Sequence, residues 1–370
     1  MTPIDNFHRL TAGGSPAWIP FSLDVGAIPG LTEPVQQKFF LATGARDWAG
    51  FFATDFRLCS LTARFGGDDP ARLHGELPPD VTFDEWGVAH WNAGTSGTVD
   101  KMYPPLAGAQ SVDEIDALPL PVIDTGNVVA TVQAFHHAGY PVCGYAGSIY
   151  EWSWWLRGME QFFLDLAAEP AMAEAVIRKV TEHTTRLAVA SAAAGIDVLC
   201  FYDDAGMQTG MQIAPELWRR CVQPAWRQVL EAARAAAPQI RLFLHSCGQI
   251  EPIIPDIIEL GFDILHPVQP ECLDFERIYR RHGAAIVLCA TISAQRIFPF
   301  GSPADVRREI RRLADIARDR RCILCPSNRI QPETPWENVL AFAEESRQLR
   351  DEATLAGQRH GANNECRNAQ

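Results

Sequence analysis

Short apolar runs separated by longer amphipathic stretches set the rhythm of the second half of this 370-residue chain. The clearest stretch is RLFLHSCGQIEPIIPDIIELGFDILHPVQ, residues 241–269. Leu242 to Leu244 stops abruptly at His245-Ser246-Cys247-Gly248, a helical stretch follows, and Phe262 to Leu265 then stops at His266-Pro267-Val268-Gln269. This pattern reads as strand, polar loop, helix, strand, polar loop. It recurs, with strands near positions 197, 241, 262, 286 and 322. The others end in Asp203-Asp204-Ala205-Gly206, Thr291-Ile292-Ser293 and Cys325-Pro326-Ser327-Asn328. Between them lie capped helices: Pro170 opens one that stops at Gly195, Ser302-Pro303 opens another, and Thr334-Pro335-Trp336-Glu337 opens the last. Strands alternating with helices predict a parallel sheet with right-handed crossovers. Length and rhythm together predict an α/β fold, a (β/α)8 TIM barrel with an elaborated N-terminal region. No GxGxxG follows an early strand, which gives a dinucleotide-binding sheet no support.

The first third is less regular. Residues 1–16 read as a flexible arm, Trp18 to Leu23 as a first strand ending at Asp24, and Thr32-Glu33-Pro34 as the start of a helix. Residues 45–120, rich in Gly, Pro and aromatics, read as elaboration, with strand-like pieces near Phe51 and Val81 to Trp86 and a polar hairpin region through Tyr103. Val128 to Ala138 is helical and Pro141 to Tyr145 a strand. The expected organisation is one barrel domain over 17–350, followed by a disordered tail over 351–370.

Composition narrows the class. Hydrophobic residues make up 47% and charged residues 21%, enough for a substantial core. A net charge of −13 argues against a nucleic-acid surface, which needs basic patches. No apolar run approaches the ~20 residues of a membrane helix, and no signal peptide is apparent. A cytoplasmic protein is expected. The 10 cysteines are scattered, several inside apolar runs, as reduced core thiols would be.

In a parallel barrel, residues just past the strand C-termini share one mouth. His245 and Cys247 there form a candidate pair of zinc ligands, since Zn²⁺ favours imidazole and thiolate. The same spacing suits a backbone-bonded histidine beside a buried thiol. Cys322 and Cys325, three apart on a strand, face opposite sides, so Cys325 alone could reach the mouth as a third ligand. Asp203 and Asp204 are candidates for general acid/base work, with a turn cap as the alternative for one of them. Tyr145, Glu151 and Trp152 could wall a substrate pocket; tryptophans packing helix to barrel is the competing reading. His266, Gln269 and Asn328 are candidate hydrogen-bonding groups, and His245 and Gln269 join the candidate catalytic set. Arg157 and Arg329 are the cations suited to a carboxylate.

The segments LHSCGQIEPIIPDIIELGFDILHPVQP, FYDDAG, LRGMEQFFLDLAAEP, FGSPADVRREI and IQPETPWENVLAFAE resemble the uroporphyrinogen decarboxylase superfamily over roughly Phe83 to Arg347. That resemblance implies a (β/α)8 barrel. It also implies either tetrapyrrole decarboxylation or, in the cobalamin-linked branch, methyl transfer between corrinoid proteins, thiols and small methylated substrates. The decarboxylase is similar in having an arginine-rich N-terminal segment. Here that segment reads SLDVGAIPG, and Arg9, Lys38 and Arg46 are the only Lys or Arg residues before Asp55. The methyltransferase branch resembles this chain in its HxC, which binds zinc there together with a later Cys. That later position holds Asn328, with Cys325 three residues earlier, and Ser293 stands where the family often has an acid. The resemblance therefore points to a methyltransferase or demethylase of a small substrate, with zinc and a corrinoid carried on a separate protein. A metal-independent decarboxylase or lyase, and a non-catalytic binding member, are the alternatives. A homodimer is the expected assembly if the chain self-associates.

Overall fold

The computed structural model describes residues 1–91 and 101–368, with side chains to 356; the middle of the expected hairpin region and the last two tail residues lie outside it. Seven parallel strands form the main sheet: Arg57–Leu58, Val142–Gly147, Val198–Tyr202, Arg241–His245, Ile264–His266, Val287–Ile292 and Cys322–Pro326. They lie side by side in chain order, so each crossover leads to the adjacent strand. Most of their residues are buried, as expected of parallel strands covered on both faces.

Period-two alternation divides the strands between two apolar layers. Val198, Cys200, Tyr202, Phe243, Ile264, Val287, Cys289, Ile323 and Cys325 form an inner cluster within the curl of the sheet. Leu199, Phe201, Leu242, Leu244, Leu265, Leu288, Cys322 and Leu324 pack outward with the helices. Cys322 and Cys325 thus belong to different layers, as their spacing predicts.

The N-terminal third departs from the expectation in three places. Residues 3–11, read as a loose arm, form a helix capped by a Thr2–Asp5 box. Phe7 and Leu10 of this helix join the inner cluster, and Asn6 bonds both ways to the chain at Ala17 and Trp18. Burial of one face overrides its polar composition. Phe51 lies in the helix Trp48–Phe52, not a strand. Trp18 to Leu23 makes an isolated parallel bridge, Phe21 to Leu324, instead of a full strand. Pro20 has no N–H to donate, and the Asp55 carboxylate takes the Phe21 N–H at 2.9 Å. The backbone still bonds on both sides: Ser22 N–H to Leu324 and Asp55 N–H to Phe21, at 2.9 and 3.0 Å. Residues 62–64 pair with 122–124, and 82–83, 89–91 and 101–103 form a second small antiparallel sheet, the elaboration outside the main sheet. At the other end, the last helix runs from Trp336 to Asn368, through the segment expected to be disordered.

Two charged groups are committed to architecture. Arg157 is buried, and its guanidinium bonds Asp165 at 2.7 Å and the carbonyls of Leu106 and Ala109. It is not a free cation for a substrate carboxylate. Removing one partner of a buried ion pair strands the other charge, at a cost of ~3–5 kcal/mol. Arg157→Ala should lower stability in urea by that order while leaving the candidate site's residues in place. Asp24 lines a small interior cavity and accepts the N–H groups of Gly30 and Trp48 on one oxygen, each at 3.0 Å. Burial raises its pKa to about 6. The native state therefore holds this proton up to about pH 6, whereas the unfolded chain releases it near 3.8, so the group's contribution to stability falls as pH rises between those values. Asparagine can keep both bonds without titrating. Stability of Asp24→Asn relative to wild type should rise by up to about 3 kcal/mol between pH 4 and pH 7, measured by denaturant melts.

Candidate functional site

The alternation that builds the inner layer also builds the site. Tyr202, His245 and His266 are aligned across three adjacent strands. Continuing the period past the strand ends places Asp204 and Cys247 on the same inner side. The two turns that carry them touch backbone to backbone. A Cβ on Gly206 would lie 2.5 Å from the Cys247 carbonyl, and one on Gly248, at φ +87°, would lie 2.5 Å from Gly206. Glycine at both positions lets the turns close on each other. Asp204 then accepts the Cys247 N–H at 2.8 Å.

The result is a compact donor set. His245 Nε2 lies 3.2 Å from Cys247 Sγ and 3.5 Å from Asp204 Oδ1. The three ligand atoms are all within 4.8 Å of one another. Ligands of a tetrahedral zinc with bonds of 2.0–2.3 Å are separated by roughly 3.3–3.8 Å, so the two separations from His245 Nε2 are close to what such an ion needs, and nitrogen, sulfur and oxygen suit it chemically. Cys325, the third ligand expected from sequence, is not in this set. It is buried in the inner layer beside Cys289 and belongs to a different, interior cavity. Asp204 supplies the third donor.

Asp204, Cys247, Gln269 and Asn328 line a cavity of ≈ 370 Å³ with Gly206, Met207, Gln208, Gly248, Ala294, Gln295 and Ser327. Asn328 directs its amide N–H at Cys247 Sγ, 3.5 Å away. Gln269 accepts the Gly248 N–H at 2.7 Å and so braces the cysteine turn. No Lys or Arg is among these lining residues. Of the lining residues that sequence reading missed, Met207, Gln208 and Gln295 follow the strand-end motifs by a few positions and Ser327 lies within one, which was the available signal. A larger hollow of ≈ 800 Å³ lies between outer helices and includes none of the candidate residues.

The electrostatics suit a cation. Burial, then the carboxylates of Asp204 and Glu151, push the Cys247 thiol well above its usual range. Burial, then Asp204 and Asp203, raise Glu151 as well. Asp204 is raised by burial, in part offset by the Cys247 N–H. His245 is held neutral, its pKa lowered by burial to about 4. Acids and a thiol gathered without a counter-charge take up protons; a divalent cation reverses that preference.

Other candidates serve as framework. Asp203 faces the opposite way from Asp204, into the helix layer. Its carboxylate accepts from Ser148 Oγ at 2.7 Å, Glu151 N–H at 2.9 Å, Ile149 N–H at 3.3 Å and Trp226 Nε1 at 2.9 Å. With four donors spent on it, Asp203 ties the 148–151 turn to the helix Gln223–Ala236. Trp152 is buried against Trp86 and His183, with ring centroids 5.7 Å from each, away from the cavity. Tyr145 stacks on Tyr202 at 5.4 Å in the inner wall. His266 is fully buried behind His245.

A family model described as uroporphyrinogen decarboxylase (URO-D) matches residues 98–349. This chain belongs to the uroporphyrinogen decarboxylase family. Among solved structures, a methyltransferase from Methanosarcina mazei is similar with a TM-score of 0.64 at 16% identity, covering 94% of this chain and 99% of that one. A B12-independent methionine synthase from Shewanella sp. W3-18-1 is similar with a TM-score of 0.42 at 11% identity, covering 63% and 73%. The first likeness extends the common fold over nearly the whole chain. A search of curated proteins found no match.

The two adjacent aspartates should therefore separate on mutation. Asp203→Ala strands four donors and should cost ~2–5 kcal/mol of stability. Asp204→Ala, with one amide bond to lose, should cost ~1 kcal/mol or less. Chemical denaturation of both variants checks this; equal losses would refute the assignment of Asp203 to framework.

Proposed function

We propose that this family member is a methyltransferase or demethylase, moving a methyl group between a small methylated substrate and a corrinoid or thiol acceptor. The observation that carries the proposal is the convergence of Asp204, His245 and Cys247, two of which, Asp204 and Cys247, line the strand-end cavity. The methyltransferase from Methanosarcina mazei, similar over almost the full chain, supports it. In this reading the domain over 17–350 is a (β/α)8 barrel whose eighth strand is the segment around Phe21, wedged between Leu324 and Asp55.

His245, Cys247 and Asp204 would hold Zn²⁺. When bound, the metal supplies a Lewis acid that lowers the pKa of a coordinated thiol or polarises a methoxy-type oxygen. The chain's own residues do the rest. Glu151, raised and beside Asp204, holds a proton that it can give to the leaving group and take back afterwards. Asn328 steers its N–H toward sulfur, and Gln269 keeps the 247–248 turn fixed. The cavity suits a small substrate. Its lack of lining Lys or Arg leaves a polycarboxylated tetrapyrrole, or the carboxylate of a metal-independent lyase, without counter-charges. The corrinoid belongs to a separate protein that presents it at the cavity mouth.

Metal content of the purified protein tests this reading. Near-stoichiometric zinc is expected in wild type and in Cys325→Ala, with loss in Cys247→Ala and Asp204→Ala. Zinc absent from wild type, or retained without Cys247, would overturn it.

A further inference from the structure

We infer that His266 is a positioning residue that fixes the tautomer of His245, so that His245 Nε2 faces Asp204 and Cys247 as a bare lone pair. The inference rests on the proposed metal role for its purpose, but its geometry stands apart from any metal.

Donor and acceptor counting carries it. His266 Nε2 lies 2.9 Å from the carbonyl oxygen of Pro326. A carbonyl can only accept, so Nε2 of His266 bears the hydrogen. In a neutral imidazole the other nitrogen then has none. His266 Nδ1 lies 2.8 Å from His245 Nδ1, the rings 25° from parallel. Its lone pair must meet a hydrogen, so His245 carries its proton on Nδ1. His245 Nε2 is left unprotonated, 3.2 Å from the sulfur and 3.5 Å from the carboxylate oxygen. Both histidines are buried, so water cannot readily substitute for any link. A carbonyl 60 residues away along the chain thereby decides which nitrogen faces Asp204 and Cys247.

The opposite polarity needs a second proton on His266. The group placed to balance it is the Cys325 thiol; burial raises that thiol, but Cys289 and His266 more than offset the rise. Donor and acceptor counting for two neutral rings carries the relay, and Cys325→Ala separates it from an imidazolium–thiolate pair.

Long-range ¹⁵N–¹H correlation spectra of the full-length, metal-free protein with ¹⁵N-labelled histidine test this directly. His245 and His266 are assigned by the signals lost in His245→Gln and His266→Phe. The expected result is Nδ1–H for His245 and Nε2–H for His266, unchanged in Cys325→Ala. An Nε2–H tautomer at His245, a doubly protonated His266, or a tautomer switch in Cys325→Ala would overturn the inference. Zinc titration adds a second readout. His266→Phe should weaken binding ~10–100-fold, and His266→Asn, whose amide oxygen can accept from His245 Nδ1–H, should recover part of it. Full-strength binding to a well-folded His266→Phe would also overturn the inference. If His266→Phe does not fold, the wild-type spectrum decides. The expected tautomers in a protein that binds no zinc would refute the metal reading alone; zinc binding with the wrong tautomer would refute the relay alone.

Discussion

The side-chain alternation of parallel strands is the constraint on which this site depends. Tyr202, His245 and His266 occupy one row because three strands pair in register, and Asp204 and Cys247 extend the same phase beyond the strand ends. A shift of one residue in either strand would exchange Asp204 for Asp203, or turn His245 and Cys247 into the helix layer. The register is enforced from the far side by Leu199, Phe201, Leu242 and Leu244, each buried among helices. The apolar core therefore specifies the polar site, although no core residue need touch a ligand. The Gly206–Gly248 contact is the other half of the constraint, because side chains in phase still need turns that can approach each other.

Such a site stores an electrostatic imbalance. A thiol and two carboxyls share a mostly buried corner, with a neutral imidazole beside them. Proteins commonly relieve this with an arginine or lysine at the site. Arg157 is locked to Asp165, and the cavity lining contributes none. Acids kept together in a cavity whose described lining carries no Lys or Arg give the proposed zinc role a support that HxC spacing alone does not.

The sequence made the parallel α/β rhythm and the strand-end positions legible, because apolar runs interrupted by polar turns are strong local signals. It was less informative wherever tertiary packing decided the outcome. Residues 3–11 are polar on average, but Phe7 and Leu10 meet the inner cluster and make the segment a helix. Trp152 looked like a pocket wall because aromatic residues suit both roles; its partners Trp86 and His183 are distant in sequence. Cys325 looked like a third ligand because chemistry was matched without position along the strand. It sits opposite Thr291, still within the ladder, whereas Cys247 lies beyond the end of its strand. Asp204 was singled out as an acid, and its part as a donor beside His245 became visible once the two turns were seen to touch.

The Asp203-Asp204 pair shows how one turn can serve both architecture and chemistry. Adjacent residues in an extended segment point in opposite directions, so neighbouring identical side chains encounter different surroundings. Asp203 points among amide, hydroxyl and indole donors, and its charge is used up holding the 148–151 turn against the helix Gln223–Ala236. That turn carries Glu151, so the framework aspartate also fixes the position of the acid that faces Asp204. Asp204 keeps one backbone bond and leaves its remaining acceptor capacity to the cavity. The rigid member thus places the other by two routes, through the backbone they share and through Glu151, so one doubled acid serves both the framework and the proposed donor set.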